Sequence, residues 1–285
     1  MLNNLNLLFG SSHHRRKTDK RNVLDVLKAH FVVRRPPEQQ DELDDIIFAF
    51  QSPHQLQDLV IDQSQEPAGE ETSSKWQEFR LRRANTDNQR KLASLLIHKM
   101  YSWRGYEAEA LGQDPHKITL LAYLEEKVVG TITLGIDSPD GLVVDGLYKQ
   151  EADKLRAEGR KLCDITRFAV DHDIKSKSVL ASLFHLAFIY GHNIHKATDF
   201  LIEVNPRHAV FYQRMMGFEL FGEEKTCTRV NAPAVLLRLP ASYADEQIIL
   251  YGGTGAAAKG TKSIYPHFFS RQDELGITQR LLREE

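Results

Sequence analysis

Residues 163–218 constrain the fold more than any other stretch. They open with Cys163-Asp164-Ile165-Thr166-Arg167-Phe168-Ala169-Val170-Asp171, which alternates, ends in an apolar run and reads as a strand. A long apolar segment, 179–194, follows, with Leu180, Leu183, Phe184, Ala187, Phe188 and Tyr190 close to helical spacing. Asp199-Phe200-Leu201-Ile202-Glu203-Val204 is then a short buried strand. Pro206 falls where a helix begins, because a first-turn proline loses no helical hydrogen bond. Gly217 falls where that helix ends and a positive φ is needed. The order strand, helix, strand, helix predicts an α/β (α+β) domain with a central sheet flanked by helices.

The flanking sequence fits this centre. Residues 77–83 alternate, with Phe79 and Leu81 on one face, and predict a first strand. A helix is expected over 89–101, capped by Asp87 or Asn88. Residues 117–124 and 128–136 form a hairpin turning at Glu125-Glu126-Lys127. An amphipathic helix is expected over 147–158, ending at Gly159, and a last buried strand over 234–239. The organisation read from these signals is a polar, partly disordered arm over 1–75, a folded domain over 76–240 and a helical extension over 241–285.

Two groups of residues carry a resemblance. Asn205 followed by Tyr212 and the Gly217-Phe218 pair resembles the late segment of the GNAT N-acyltransferase fold. Asp164-Ile165-Thr166-Arg167-Phe168 resembles the Glu-x-Ser-Arg-Phe strand of acyl-homoserine-lactone synthases. With the hairpin and the C-terminal tail, the chain is most similar to N-acyl amino acid synthases, over roughly residue 76 to the C-terminus. The resemblance implies a GNAT-like acyltransferase that moves a long acyl chain from an acyl carrier protein to the amine of an amino acid. The acyl thioester on phosphopantetheine is then a co-substrate, and no further cofactor or metal is expected.

The resemblance also implies roles. A carboxylate in the Asp164 strand lies near the acceptor amine, which makes Asp164 the candidate base. It is one methylene shorter than the usual Glu, so a water relay is expected. Tyr212 stands where many such enzymes protonate the leaving thiolate, a step a phenol can perform. The backbone of Phe168, Ala169 and Val170 would pair with the pantetheine arm. Trp103 and Arg104 lie in a region that folds over the acceptor and the thioester. Asn205 either bonds the pantetheine or caps its helix. Arg167 is a candidate clamp for the acceptor carboxylate. Three residues past Asp164, it would point to the opposite face of a regular strand unless a bulge intervenes. An Asp164–Arg167 ion pair and a merely packed Tyr212 are the structural alternatives.

Other classes are less favoured. A formal net charge of -2 gives no reason to expect nucleic acid. No apolar run approaches the roughly 20 residues of a membrane helix, and the basic residues at 15–17 follow the apolar start, the reverse of a secretory signal. Two cysteines, Cys163 and Cys227, suit a reducing compartment, so a cytoplasmic protein is expected. No Gly-x-Ser-x-Gly elbow is present. Residues 173–178 lack the glycines of a pyrophosphate loop, which favours a carrier protein over CoA. The competing readings are an acyl-homoserine-lactone synthase, a CoA-dependent acetyltransferase and a non-catalytic acyl-carrier sensor.

Overall fold

A computed structural model describes residues 46–53, 76–102, 105–106, 110–174, 176–255 and 262–284. The described residues build one sheet from Ile46–Pro53 (β1), Trp76–Arg83 (β2), Lys117–Leu124 (β3), Lys127–Ile136 (β4), Leu162–Val170 (β5), Asp199–Val204 (β6), Glu219–Cys227 (β7) and Ala232–Pro240 (β8). Their spatial order is β1-β2-β3-β4-β5-β6-β8-β7. Every neighbouring pair is antiparallel except β5 and β6. That parallel ladder is short: Leu162, Cys163 and Asp164 pair with Asp199, Phe200 and Leu201. Beyond Asp164, β5 pairs only with β4, and beyond Leu201, β6 pairs only with β8. The two central strands therefore part, leaving one edge of each without a strand partner among the described residues.

Among the described residues six α-helices flank the sheet: Asp87–Ser102 (α1), Asp145–Ala157 (α2), Lys177–Phe188 (α3), Pro206–Met216 (α4), Ala241–Tyr251 (α5) and Arg271–Glu284 (α6). Alternation along the strands sorts side chains between the two faces. On one face α3 packs over Leu120, Ile132, Leu134, Cys163 and Ile165. All ten α3 residues from Val179 to Phe188 are buried, as an apolar-all-round helix requires. On the other face α1 covers Leu121, Tyr123 and Ala169, and α2 covers Leu162, Leu201 and Leu236.

Four features differ from the sequence expectations. Ile46–Pro53, within the stretch read as a polar arm, is strand β1; Phe50 stacks on Phe79 with ring centroids 5.6 Å apart, and Phe48 on Phe269 at 4.4 Å. The helix expected to run to 194 changes to a π-helical turn at Ile189–Ile194. The α1 cap is Thr86, not Asp87 or Asn88: Gln89 N–H donates to Thr86 Oγ1, while Gln89 Oε1 accepts from Asn85 and Thr86. This reciprocal box competes better than a lone cap because it satisfies several orphan amides at once. Finally, Tyr265, Phe268, Phe269, Ile277 and Leu281 of the C-terminal extension are buried in the main core. Buried Glu274 ties α6 to Asn193 at 2.8 Å and, within α6, accepts from Arg271 at 2.8 Å. The rest of the arm lies outside the described residues, as do Trp103 and Arg104.

Candidate active site

The point where β5 and β6 part collects the chemistry-bearing residues. Asp164 is the last β5 residue on the parallel ladder and is completely buried. Its Oδ2 accepts from Val144 N–H at 3.2 Å, just ahead of α2, whereas Oδ1 has no hydrogen-bond partner. Burial, the largest influence, pushes its pKa up to about 6 despite the opposing pull of the Val144 and Val143 amides. The carboxyl fits only because its β4 neighbour is a glycine: a β-carbon on Gly135 would lie 2.3 Å from Asp164 Oδ1.

Two other buried aspartates show what a structural carboxylate looks like here. Asp199, at the start of β6, accepts from Arg160 at 2.6 Å, Arg238 at 2.8 Å and Thr198 at 2.6 Å. Asp171, just past β5, pairs with Lys99 at 3.2 Å and Lys127 at 2.9 Å, which hold its pKa at about 2 against the opposing effect of burial. Of the three, Asp164 alone has no cation against it among the described residues. A buried carboxyl left uncompensated next to an opening in a sheet is what a general base requires.

Arg167 is the extra residue of a β-bulge. Thr133 and Thr131 of β4 face Thr166 and Ala169 of β5, so β5 carries one residue too many, and Arg167 has a φ of 51°. The alternative of an Asp164–Arg167 ion pair is not what is seen: Arg167 is half-buried and has no ion pair among the described residues. The bulge resets the alternation, so that Phe168 packs against Phe184 of α3, 5.0 Å between centroids, while Ala169 packs under α1. Ala169 and Val170 pair with β4 on one side only.

Tyr212 lies on the opposite face from Asp164. On α4, it meets the Phe184 ring edge-on at 6.3 Å and the Phe218 ring at 6.0 Å. On this face a small cavity of about 10 Å³ is lined by Ile165, Phe184, Phe188, Met216, Tyr265 and Phe268, among others. Of the apolar α3 residues, Phe184 and Phe188 line it and Leu183 does not. It holds one water at most, so a fatty chain enters only by displacing aromatic side chains. A second, open concavity of about 550 Å³ lies away from this point, between α1 and the β3–β4 turn, along Leu92, Leu95, Leu96 and Leu124. Asn205 caps α4, accepting from Arg207 N–H at 3.2 Å, and donates to Tyr106 at 3.4 Å.

Sequence reasoning passed over Glu203 and Arg229. Glu203 lies two residues past Leu201 on β6 and so shares the face of Asp164. Its Oε1 accepts from Arg229 at 2.7 Å, and its Oε2 is buried without a partner. Arg229, in the β7–β8 turn, also donates to Val143 O at 3.3 Å. Only the apolar flanks of Glu203 hinted at a buried acid; nothing local linked it to a residue 26 positions away.

With this geometry in place, the comparisons with known proteins can be read. A family model described as N-acyl amino acid synthase FeeM matches residues 92–240, just over half of the chain. The structure of FeeM, an N-acyl amino acid synthase from uncultured soil microbes, matches at 29% identity and a TM-score of 0.55, covering 59% of this chain and 93% of that one. An acyl-CoA N-acyltransferase from Pseudomonas aeruginosa matches at 14% identity and a TM-score of 0.40, covering 56% and 97%. The acyl-homoserine-lactone synthase LasI matches at 11% and 0.41, covering 58% and 91%. No curated protein sequence matches. The mixed sheet and the FeeM likeness make this the GNAT-like acyltransferase fold expected from the sequence.

Proposed function

The chain belongs to the N-acyl amino acid synthase FeeM family and is an N-acyltransferase, and from that premise we propose that it acylates a free amino acid with a long-chain acyl group carried on an acyl carrier protein. The observation that carries this reading is the parting of β5 and β6 at an uncompensated, buried Asp164. A thioester lying in that gap has an acid-base group on one side and an apolar wall on the other.

The amine nitrogen attacks the thioester carbonyl carbon; the C–N bond forms and the C–S bond breaks. Asp164 takes the ammonium proton through a relay water, because its carboxyl is enclosed. The second amine proton leaves as the tetrahedral intermediate collapses and, passed through water, replaces the one that Tyr212 delivers to the departing thiolate. The edge of β5 past Asp164 offers the pantetheine arm strand-like hydrogen bonds. A carrier protein is preferred over CoA because the turn after β5 uses its own amides. Asp173 N–H reaches Asp171 Oδ1 at 3.4 Å, and Ile174 N–H reaches Asp171 O at 3.0 Å. A pyrophosphate needs such amides free.

The test is product analysis by mass spectrometry after incubating the purified protein with a twenty-amino-acid pool and either palmitoyl carrier protein or palmitoyl-CoA. N-acyl amino acids from the carrier-protein reaction are expected. Acyl lactones on adding S-adenosylmethionine, turnover with acetyl-CoA alone, or carrier binding without product would overturn the reading.

A further inference from the structure

Glu203 and Arg229 stand on the acceptor side of the gap and have no part in the scheme above. On β6, Glu203 lies just beyond the last rung of the parallel ladder, where β5 no longer covers that edge. Its side chain is nine-tenths buried, yet among the described residues no N–H or O–H donor reaches Oε2. The Cys227 thiol interacts with Glu203: its pKa is pushed up by its own burial first and by a hydrogen bond to Glu203 second. A thiol is a weak donor, so the oxygen is left for a stronger one. Asp164 is enclosed completely, so Glu203 is the carboxylate nearer to an arriving amine.

Arg229 is half-exposed and makes two hydrogen bonds among the described residues, to Glu203 Oε1 and to Val143 O. A guanidinium has five N–H donors, so several remain for a ligand. One peptide group joins this pair to the base: Val143 C=O accepts from Arg229, and the N–H of that same peptide, on Val144, donates to Asp164. An unfilled carboxylate oxygen next to a cation with donors to spare has the charge pattern of a zwitterion.

We propose that Glu203 and Arg229 form the acceptor subsite, with the α-ammonium of a free amino acid on Glu203 Oε2 and its α-carboxylate on the outer edge of Arg229. The assignment rests on the acyl transfer proposed above and narrows it. The acceptor is an α-amino acid with an unblocked carboxylate, not a simple amine. It also moves the carboxylate clamp from Arg167 to Arg229.

The test compares wild type with Glu203→Gln, Arg229→Met, Arg229→Lys and Arg167→Met at saturating palmitoyl carrier protein. Each is given the amino acid pool and a pool of the matching decarboxylated amines. Arg229→Met is expected to raise KM for amino acids roughly 10- to 100-fold, the range of lost charged hydrogen bonds, and to change KM for the amines far less. Arg229→Lys, which keeps the charge and loses the fork, falls between. Glu203→Gln raises KM for both pools roughly tenfold, and no variant changes KM for the carrier protein. Thermal melting reports folding, and Arg229→Lys carries the comparison if the Met variant does not fold. The assignment is overturned if acceptor KM stays within about twofold in the Glu203 and Arg229 variants. It is equally overturned if Arg167→Met, and not Arg229→Met, abolishes the preference for amino acids. A wild-type enzyme that acylates neither pool overturns the acyl transfer itself; one that works while the variants match it overturns only the subsite.

Discussion

The two faces of the β5–β6 gap are built on opposite principles. The face under α1 and α2 carries Asp164, Glu203 and Arg229, linked through the Val143–Val144 peptide. The face under α3 is aromatic and aliphatic, and is closed by Tyr265 and Phe268 from beyond the residues that match the family model. On the first face charge is left uncompensated; on the second, volume is nearly filled. On the proposed reading, the base and the lipid wall sit on opposite sides of the gap in the sheet.

The largest effect is expected on the polar face. Asp164→Asn should lower turnover by roughly 10²- to 10⁴-fold, the range of general-base catalysis, and remove the rise in rate with pH centred near 6. Its stability should move the other way. The folded pKa of Asp164 is raised from 3.8 to about 6, so the folded protein prefers the protonated form. That stabilisation is complete below about pH 4 and lost as pH rises through 6, a change on the order of 3 kcal/mol. Denaturant unfolding at pH 4 and pH 8 should show this loss in the wild type and not in the variant. Equal pH dependence in both would break the contrast.

Phe268→Ala probes the apolar face. It should destabilise the fold by about 3 kcal/mol through the cavity it leaves. The preferred acyl chain should lengthen while KM for amino acids holds. A changed amino acid KM would mean that the two faces are not separate. Gly135→Ala is smaller in volume but strikes the polar face, because the new methyl meets Asp164 Oδ1. A destabilisation of roughly 1–3 kcal/mol is expected, together with a loss of turnover that Phe268→Ala does not share at its preferred chain length. Thr86→Ala removes the α1 cap, far from both, and should cost about 1 kcal/mol with turnover unchanged.

What could be read in the sequence followed from periodicity and from local chemistry. The hairpin, β5, β6 and the Pro206-to-Gly217 helix were legible because alternation, a first-turn proline and a φ of 80° at Gly217 each leave a local mark. Asp164 and Tyr212 were named by resemblance, which does not say that they face opposite sides of the sheet. The Arg167 bulge was not legible either, since nothing in Asp-Ile-Thr-Arg-Phe marks an αL arginine. Strand β1 was missed because the acidic, polar composition around it outweighed Ile46-Ile47-Phe48. Glu203 and Arg229 meet only because β7 and β8 turn back beside β6, a long-range contact that no local pattern encodes.

The central claim is that the acyl chain enters the gap between β5 and β6 from the aromatic face. Photolabelling tests it most directly, using carrier protein loaded with a fatty acid bearing a diazirine at its terminal carbon, followed by peptide mapping. The account predicts label on the segments holding Phe188, Tyr265 and Phe268. Label confined to the open groove along Leu92, Leu95 and Leu124 would contradict it.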